Sequence, residues 1–444
     1  MNDDFLAGHA ESQPDKAAVI CGQREVDFAT LSKRASRVAN AFTALGCREG
    51  DRVAWMSFNS IEGAEIANGL RRAGLVIVPV NYRLRGQEIA YVLNDSGARV
   101  AVAGPDHVEV MAAAFPDVEH AVRFVAVGET APDGWLSYSR LIDEAPENFA
   151  SVSEGLGASM IYTSGTTGNP KGAWRPHGVD IANVLQVIST FELAQSDVHL
   201  VCGPGYHSGV AFFSALHQVL GSTVVLLPKF EAEHALDEIE RRRVTTTFLA
   251  PTLLQRLVDA QQSRARDTAS LRAVILGAAP CPYALKVRAH EVFGPVLWEF
   301  YGATETGINT VLRPEDQLRK PGSCGTALPG QEIRLARGDG TEAARLSRRG
   351  GLFLHLRPPH RHDRLGRRQR LPGGNRSGTP CSSGRDGRGR HRCPRRPVGR
   401  VGESRCAAAR GNQGLSGYAH RLLRRAPGRL QEAAVDRFRR RAPP

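Results

Sequence analysis

Short apolar runs alternate with helix-length segments from the N-terminus to about Ala336, and this alternation most constrains the fold. Arg52-Val53-Ala54-Trp55-Met56 reads as a buried strand, Ile61–Arg72 has helical composition, and Leu75-Val76-Ile77-Val78-Pro79-Val80 is a second apolar strand. Before them Leu31, Ala35, Val38, Phe42 and Leu45 recur at helical spacing, and Gly46 comes next as a stop signal. The alternation returns at Thr223-Val224-Val225-Leu226-Leu227, a helix around 236–242, a strand over 244–249, a helix over 252–260, and a strand over 271–276 that runs into Gly277. Strands that are apolar on both faces require helices on both sides of a sheet, so an α/β fold with a mainly parallel sheet is expected. No repeat of fixed period is visible.

Past Arg345 the pattern stops. Residues 345–444 hold 27 of the 58 basic side chains, all Arg, and five of the 45 acidic ones, which gives +22. The remaining 31 bases and 40 acids leave residues 1–344 at −9, so the overall +13 belongs to the last hundred residues. Those residues also contain 15 Gly and 9 Pro, as in Arg357-Pro358-Pro359-His360-Arg361-His362, with no apolar periodicity. Such a composition buries too little apolar surface to offset the entropy of ordering, and disorder is expected there. A GC-rich gene read out of frame after about residue 344 accounts for the composition; an evolved basic tail is the alternative. Without aromatic interleaving the Arg would bind phosphate non-specifically, so no specific nucleic-acid partner is expected.

Several classes are excluded early. Eight Cys in 444 residues are too sparse for a disulfide scaffold, and the tail's Cys381, Cys393 and Cys406 show no metal-ligand spacing. No apolar run approaches a membrane span, and the acidic opening Met1-Asn2-Asp3-Asp4-Phe5 is unlike a signal peptide. A cytoplasmic, enzyme-sized protein is expected, with 41% hydrophobic residues sufficient for a sizeable core.

The sharpest chemical feature is Tyr162-Thr163-Ser164-Gly165-Thr166-Thr167-Gly168-Asn169-Pro170-Lys171-Gly172. Its glycines permit positive φ and close backbone approach to a ligand, its hydroxyls add donors, and Lys171 adds a cation. Consecutive N–H groups in such a loop form an anion-binding concavity suited to a polyphosphate. It is not a Walker P-loop, because no Gly-Lys-Ser/Thr stands at the required spacing. A mere flexible linker would need neither the Pro-Lys-Gly after it nor the Ile-Tyr before it.

This loop resembles the phosphate-binding signature of the adenylate-forming superfamily, and four further segments agree in order and spacing. Trp298-Glu299-Phe300-Tyr301-Gly302-Ala303-Thr304-Glu305-Thr306 resembles its second nucleotide motif, and Gly277-Ala278-Ala279-Pro280 the small-residue strand end lining the adenine and acyl pocket. Pro204-Gly205-Tyr206-His207-Ser208-Gly209 is similar to a Pro-x-x-His-x-x-Gly segment, and Lys320-Pro321-Gly322-Ser323-Cys324-Gly325 with Leu328-Pro329-Gly330 to a linker late in the large domain. Asn81-Tyr82-Arg83-Leu84 resembles the acyl-CoA synthetase branch.

The resemblance implies a large domain of two α/β subdomains over residues 1–336, truncated before its last β portion, with 337–444 standing as an aberrant tail in place of the small C-terminal domain. It implies ATP-dependent activation of a fatty or other carboxylic acid to an acyl-adenylate, followed by transfer to CoA; transfer to a carrier protein stays open. Adenylation needs charge neutralisation on the phosphates more than a dedicated nucleophile, because the acid itself attacks. In that reading Glu305 and Thr163 hold Mg²⁺, Thr304 bonds the α-phosphate, and Tyr301 stacks on adenine. Ser164, Gly165, Thr166, Thr167, Gly168 and Lys171 cradle the phosphates, while Gly277, Ala278, Glu299 and Gly302 complete the nucleotide site. Lys171, Thr304, Glu305 and His207 form the catalytic set, with His207 beside the incoming carboxylate. The partner is a small-molecule carboxylic acid, and a homodimer is compatible with the sequence.

The family's later elements are not recognisable. After Gln331-Glu332-Ile333-Arg334-Leu335 no ribose-binding Thr-Gly-Asp appears, and no C-terminal catalytic lysine is present, since the last Lys is Lys320. An Arg is no substitute by default, because Lys is a compact point charge and guanidinium a planar fork. Impaired activity is expected, the alternative being an inactive remnant that at most binds nucleotide or acyl group.

Overall fold

A computed structural model of the chain resolves the alternation into two large sheets. The structure describes residues 4–120, 122–149, 157–163, 170–175, 181–304, 306–331, 333–336, 342–345 and 353–354. It divides into two units, Met1–His355 and Leu356–Pro444, and all described residues belong to the first. The expectation of a disordered tail therefore falls on residues outside the described ones, apart from a few short strands.

The first sheet has seven strands, in the order Leu136–Ser137, Arg123–Ala126, Val100–Ala103, Arg52–Met56, Val76–Pro79, Ser159–Thr163 and Lys171–Arg175. All run parallel except Lys171–Arg175, which closes one edge as the second arm of a hairpin. The second sheet also has six parallel strands: Ala17–Cys21, Thr223–Leu226, Val198–Val201, Thr246–Leu249, Ala273–Leu276 and Leu297–Ala303. Arg24–Asp27 caps one edge antiparallel, and Gly307–Leu312, Ser323–Ala327 and Phe353–Leu354 extend the other. A separate hairpin pairs Arg334–Ala336 with Glu342–Arg345. These last pairings reach past the end of the visible alternation. Their ladders are made by backbone groups, so strands of two to four residues leave no periodic trace in the sequence.

Side-chain alternation explains why both faces of each sheet are covered. In the second sheet Val19, Val201, Val224, Ala273 and Ile275 enter one core and Ile20, Leu200, Val225, Val274 and Leu276 the other. In the first sheet Val53, Val100, Val102 and Val125 face one layer, and Ala54, Met56, Ala101, Ala103 and Phe124 the opposite one.

Two helices join the sheets. Helix Phe28–Ala44 is capped by Asp27, whose carboxylate accepts from Thr30 N, and ends as expected just before Gly46, at φ +86°. Its first half (Phe28, Leu31, Ala35) packs in the core of the second sheet, and its second half (Val38, Phe42) in that of the first. Helix Ile61–Arg72 does the same with Ile61 and Ala64 against Ile66 and Leu70. The helices touch closely at Gly69, where a Cβ would fall 2.4 Å from Val38 Cβ. The N-terminal helix Phe5–Ser12 is tied down by buried Asp4, which pairs with Arg71 and Arg72.

Candidate active site

The phosphate-loop segment is a hairpin at the edge of the first sheet. Thr163 ends one strand, Lys171 begins the next, and the two are Cα partners across the ladder. Both arms are anchored to helix Gly86–Ser96: Tyr162 Oη donates to Asp95 Oδ2 at 2.6 Å and Tyr91 Oη to Pro170 O at 3.2 Å. Burial and the Asp95 carboxylate push the Tyr162 phenol far above its ordinary value, so it acts as a neutral donor. Gly172 is needed for packing, since a Cβ there would meet Met160 Cε at 2.4 Å. Lys171 is exposed. Ser164, Gly165, Thr166, Thr167 and Gly168 lie outside the described residues, as does Glu305.

The second group forms where strand Leu297–Ala303 leaves the second sheet. Thr304 Oγ1 lies 3.1 Å from Ser208 Oγ, although 96 positions separate them. Ser208 opens helix Ser208–Leu220, and His207 is its N-cap residue. The structure thus brings Thr304 beside the turn that carries His207. His207 is exposed, and Tyr206 flanks its ring with centroids 4.4 Å apart. Desolvation first, and then the Arg83 cation, hold its imidazole below the ordinary value, so it is neutral at pH 7. Tyr82 packs edge-on to Tyr206 at 5.1 Å, bringing the 81–84 segment of the first sheet to the same place.

Tyr301 is 52% exposed on strand Leu297–Ala303. A β-bulge separates it from Gly302, where a Cβ would sit 2.1 Å from Gly307 O, so this hairpin closes only with glycine. Gly277 comes directly after strand Ala273–Leu276, and a Cβ on it would meet Phe300 Cζ at 2.6 Å. Ala278 takes φ +69°, a left-handed conformation that L residues rarely adopt and that accompanies functional sites. Glu299 is buried and pairs with Lys286 Nζ, while its Oε1 accepts from Cys281 N at 3.2 Å. It therefore braces the 277–281 strand end from behind.

Sequence reasoning singled out neither Lys286 nor Asn59. Lys286 lies on helix Tyr283–Phe293 with no motif around it. Asn59 reaches from the first sheet to the backbone of the 203–205 turn. A buried lysine opposite a motif glutamate was the one available signal, and only the fold reveals the pairing. A cavity of about 520 Å³ lies elsewhere, lined by Pro105, Val108, Val127, Thr130 and Pro132. No helix among the described residues is long and apolar enough to cross a membrane.

Two sheets with parallel cores and a Ser/Thr/Gly-rich hairpin loop, together with an aromatic-Gly-x-Thr hairpin beside a His-bearing helix start, define a class. The chain belongs to the AMP-binding enzyme family, whose model matches residues 6–354. It is 32% identical over 342 residues to an indoleacetate–CoA ligase of Aromatoleum aromaticum, covering 76% of this chain and 66% of that protein. It is 31% identical to a fatty acid–[acyl-carrier-protein] ligase of Streptomyces coeruleorubidus, covering 75% and 65%. Among solved structures, an anthranilate CoA ligase in complex with anthranoyl-AMP superposes with a TM-score of 0.70 at 26% identity, covering 77% of this chain and 67% of that one. The chain spans just under two thirds of the length of the curated relatives it matches.

Proposed function

We propose that this chain contains the nucleotide- and acid-binding large domain of an adenylate-forming acid–thiol ligase, over residues 1–336, with 337–444 standing where the family places its small domain. The reaction is activation of a carboxylic acid by ATP to an acyl-adenylate, with release of pyrophosphate and transfer of the acyl group to CoA. The observation that carries this reading is the Ser208–Thr304 contact at 3.1 Å, which brings together two motifs distant in sequence. The CoA- and carrier-protein-ligase names of the relatives and the anthranoyl-AMP complex support it.

Each residue has a stated task. Lys171 and the hydroxyls and amides of 163–168 neutralise the polyphosphate, and Thr304 donates to the α-phosphate. Tyr301 offers an exposed ring face to adenine, and Gly277 and Ala278 bring backbone to the nucleotide. Glu299 keeps that strand end in place through Cys281. Neutral His207 orients the acid as a hydrogen-bond donor without competing for its charge. Among the described residues no group of three or more His, Cys, Asp or Glu comes together. Mg²⁺ takes one or two protein oxygens and fills its shell with phosphate oxygens and water. Thr163 and Glu305 would hold it, and bound Mg²⁺ supplies further neutralisation of the phosphate charge. The protein is read as cytoplasmic.

Residues 345–444 contain 27 Arg and no lysine, so the closing domain's catalytic lysine is absent from them. Losing one preorganised charge of this kind commonly costs ~10²–10³ in rate. The test is ATP–pyrophosphate exchange with Mg-ATP and a panel of aliphatic and aromatic acids, on this chain and on a chimera with a family-like C-terminal region after residue 336. Exchange restored in the chimera and near background in the parent is expected. Absence of both exchange and nucleotide binding in the chimera would sink the adenylation reading.

A further inference from the structure

Asn59 sits between strand Arg52–Met56 of the first sheet and helix Ile61–Arg72, outside both nucleotide motifs. Its amide makes three backbone bonds into the second sheet. Nδ2 donates to Gly203 O and to Leu227 O, both at 2.9 Å, and Oδ1 accepts from Gly205 N at 2.8 Å. Both amide protons and the carbonyl are therefore engaged, and one planar group fixes two loops at once.

Holding these backbone atoms also sets the residues next in the chain. Gly203 and Gly205 bracket Pro204, the first residue of the turn whose closing bond runs from His207 N to Pro204 O at 3.1 Å. Gly205 is matched to the bracket: a Cβ there would come within 3.0 Å of Asn59 Oδ1. On the other side of the turn, Tyr206 is held by Tyr82, and helix Ser208–Leu220 begins with the serine that touches Thr304. The turn is thus set from the first sheet, while the residues it presents work at the second.

We infer that Asn59 is a positioning residue for His207: it fixes the 203–207 turn so that the imidazole faces the acid beside Ser208 and Thr304. This rests on the acid-orienting role proposed for His207. Only asparagine and glutamine supply two donors and one acceptor in one planar amide, and glutamine's stem is a methylene longer. Aspartate keeps the acceptor but sets a charge against two carbonyl oxygens, so it breaks the bracket at nearly constant volume.

The test is a double-mutant cycle on the full chain, with N59D, H207A and the double variant. The probes are acylsulfamoyl-adenosines carrying octanoyl or phenylacetyl groups, with AMP as control, measured by calorimetry. N59D should weaken the acyl probes at least tenfold and AMP less than threefold, and its effect should shrink below threefold once His207 is alanine. Equal losses in both backgrounds overturn the inference, because Asn59 would then act only as a structural tie. A second readout needs no ligand. The Cε1–Hε1 cross-peak of His207 at pH 8 should shift or broaden in N59D while the circular-dichroism spectrum is retained, and an unchanged peak overturns the inference. Failure of the parent chain to bind either acyl probe removes the proposed function instead, and the cross-peak then decides Asn59 alone. Where N59D does not fold, Asn59→Ser is judged by the same two criteria.

Discussion

Each sheet turns antiparallel at a hairpin, and each hairpin carries one of the two nucleotide motifs, yet the two are built in opposite ways. In the first sheet Thr163 and Lys171 are ladder partners and residues 164–170 lie between them. In the second, Ala303 pairs with Gly307, so only residues 304–306 intervene, and Gly302 has no room for a Cβ beneath Gly307 O. The sequence of the long loop, with glycines at 165 and 168, permits its amides to turn toward a ligand. The short one fixes Thr304 against Ser208 through steric closure. One motif works by available donors and the other by a rigid position, so substitutions should cost binding in the first and stability in the second.

The strands of the two sheets differ in buried polarity too. The second contains the Lys286–Glu299 pair and a stacked His199–His217 pair, with ring centroids 4.2 Å apart. Thr246 Oγ1 lies 2.9 Å from His199 Nδ1 and 3.2 Å from His217 Nε2, and Ser222 Oγ lies 3.2 Å from His217 Nδ1. The strands of the first sheet bury mainly Val, Ala and Met.

The largest effect is expected behind the rigid motif. Lys286→Met leaves Glu299 charged and buried without a partner, which should destabilise the protein by about 3–5 kcal/mol; denaturant unfolding measures it. A loss under about 1 kcal/mol would mean that the pair does not brace the strand end. At the long loop, Lys171→Ala should weaken Mg-ATP binding by about 1.5–3 kcal/mol. For exposed Lys171 the unfolding midpoint should not move. Calorimetry and thermal melts on the same samples test that split, and equal changes in both would erase the contrast between the hairpins.

Next comes glycine exchange. Gly302→Ala forces a backbone clash and should cost about 1–3 kcal/mol of stability. Gly165→Ala should lower nucleotide affinity and stay within about 0.5 kcal/mol in stability. The reverse ranking would overturn the assignment of rigid and open loops.

The remaining effect is pH-dependent and belongs to the second sheet. Burial, and then Arg272, hold His217 down to about 3. Burial, and then His217, hold His199 well below the ordinary value against the opposing pull of Asp197. Because the folded values lie below the unfolded value near 6.5, the unfolded chain binds more protons as pH falls. Stability is therefore full above about pH 6.5 and declines toward acid, by about 1.4 kcal/mol per pH unit for each imidazole. Unfolding at pH 7.5 and 5.5 should show this slope in the parent chain and lose most of it when both histidines become Gln.

Much of this protein was legible before any coordinates. Strand Arg52–Met56 and helix Ile61–Arg72 fall on the residues that periodicity indicates, because buried strands and amphipathic helices write their environment into local patterns. The motif loops were legible for a related reason, since close approach and hydroxyl-rich donors restrict residue choice locally. What tertiary structure alone decided is which distant residues meet. Strand Ala17–Cys21 joins the second sheet beside Thr223–Leu226 although it precedes the whole first sheet. Lys16 donates to Gly221 O at 2.6 Å and to Gln195 O at 2.7 Å. Glu299 finds Lys286, Thr304 finds Ser208, and Asn59 holds the turn before His207. These contacts involve single polar side chains and backbone groups, which carry no period. Their partners are fixed by how the sheets stack on helices Phe28–Ala44 and Ile61–Arg72, and that stacking is a property of the packed whole.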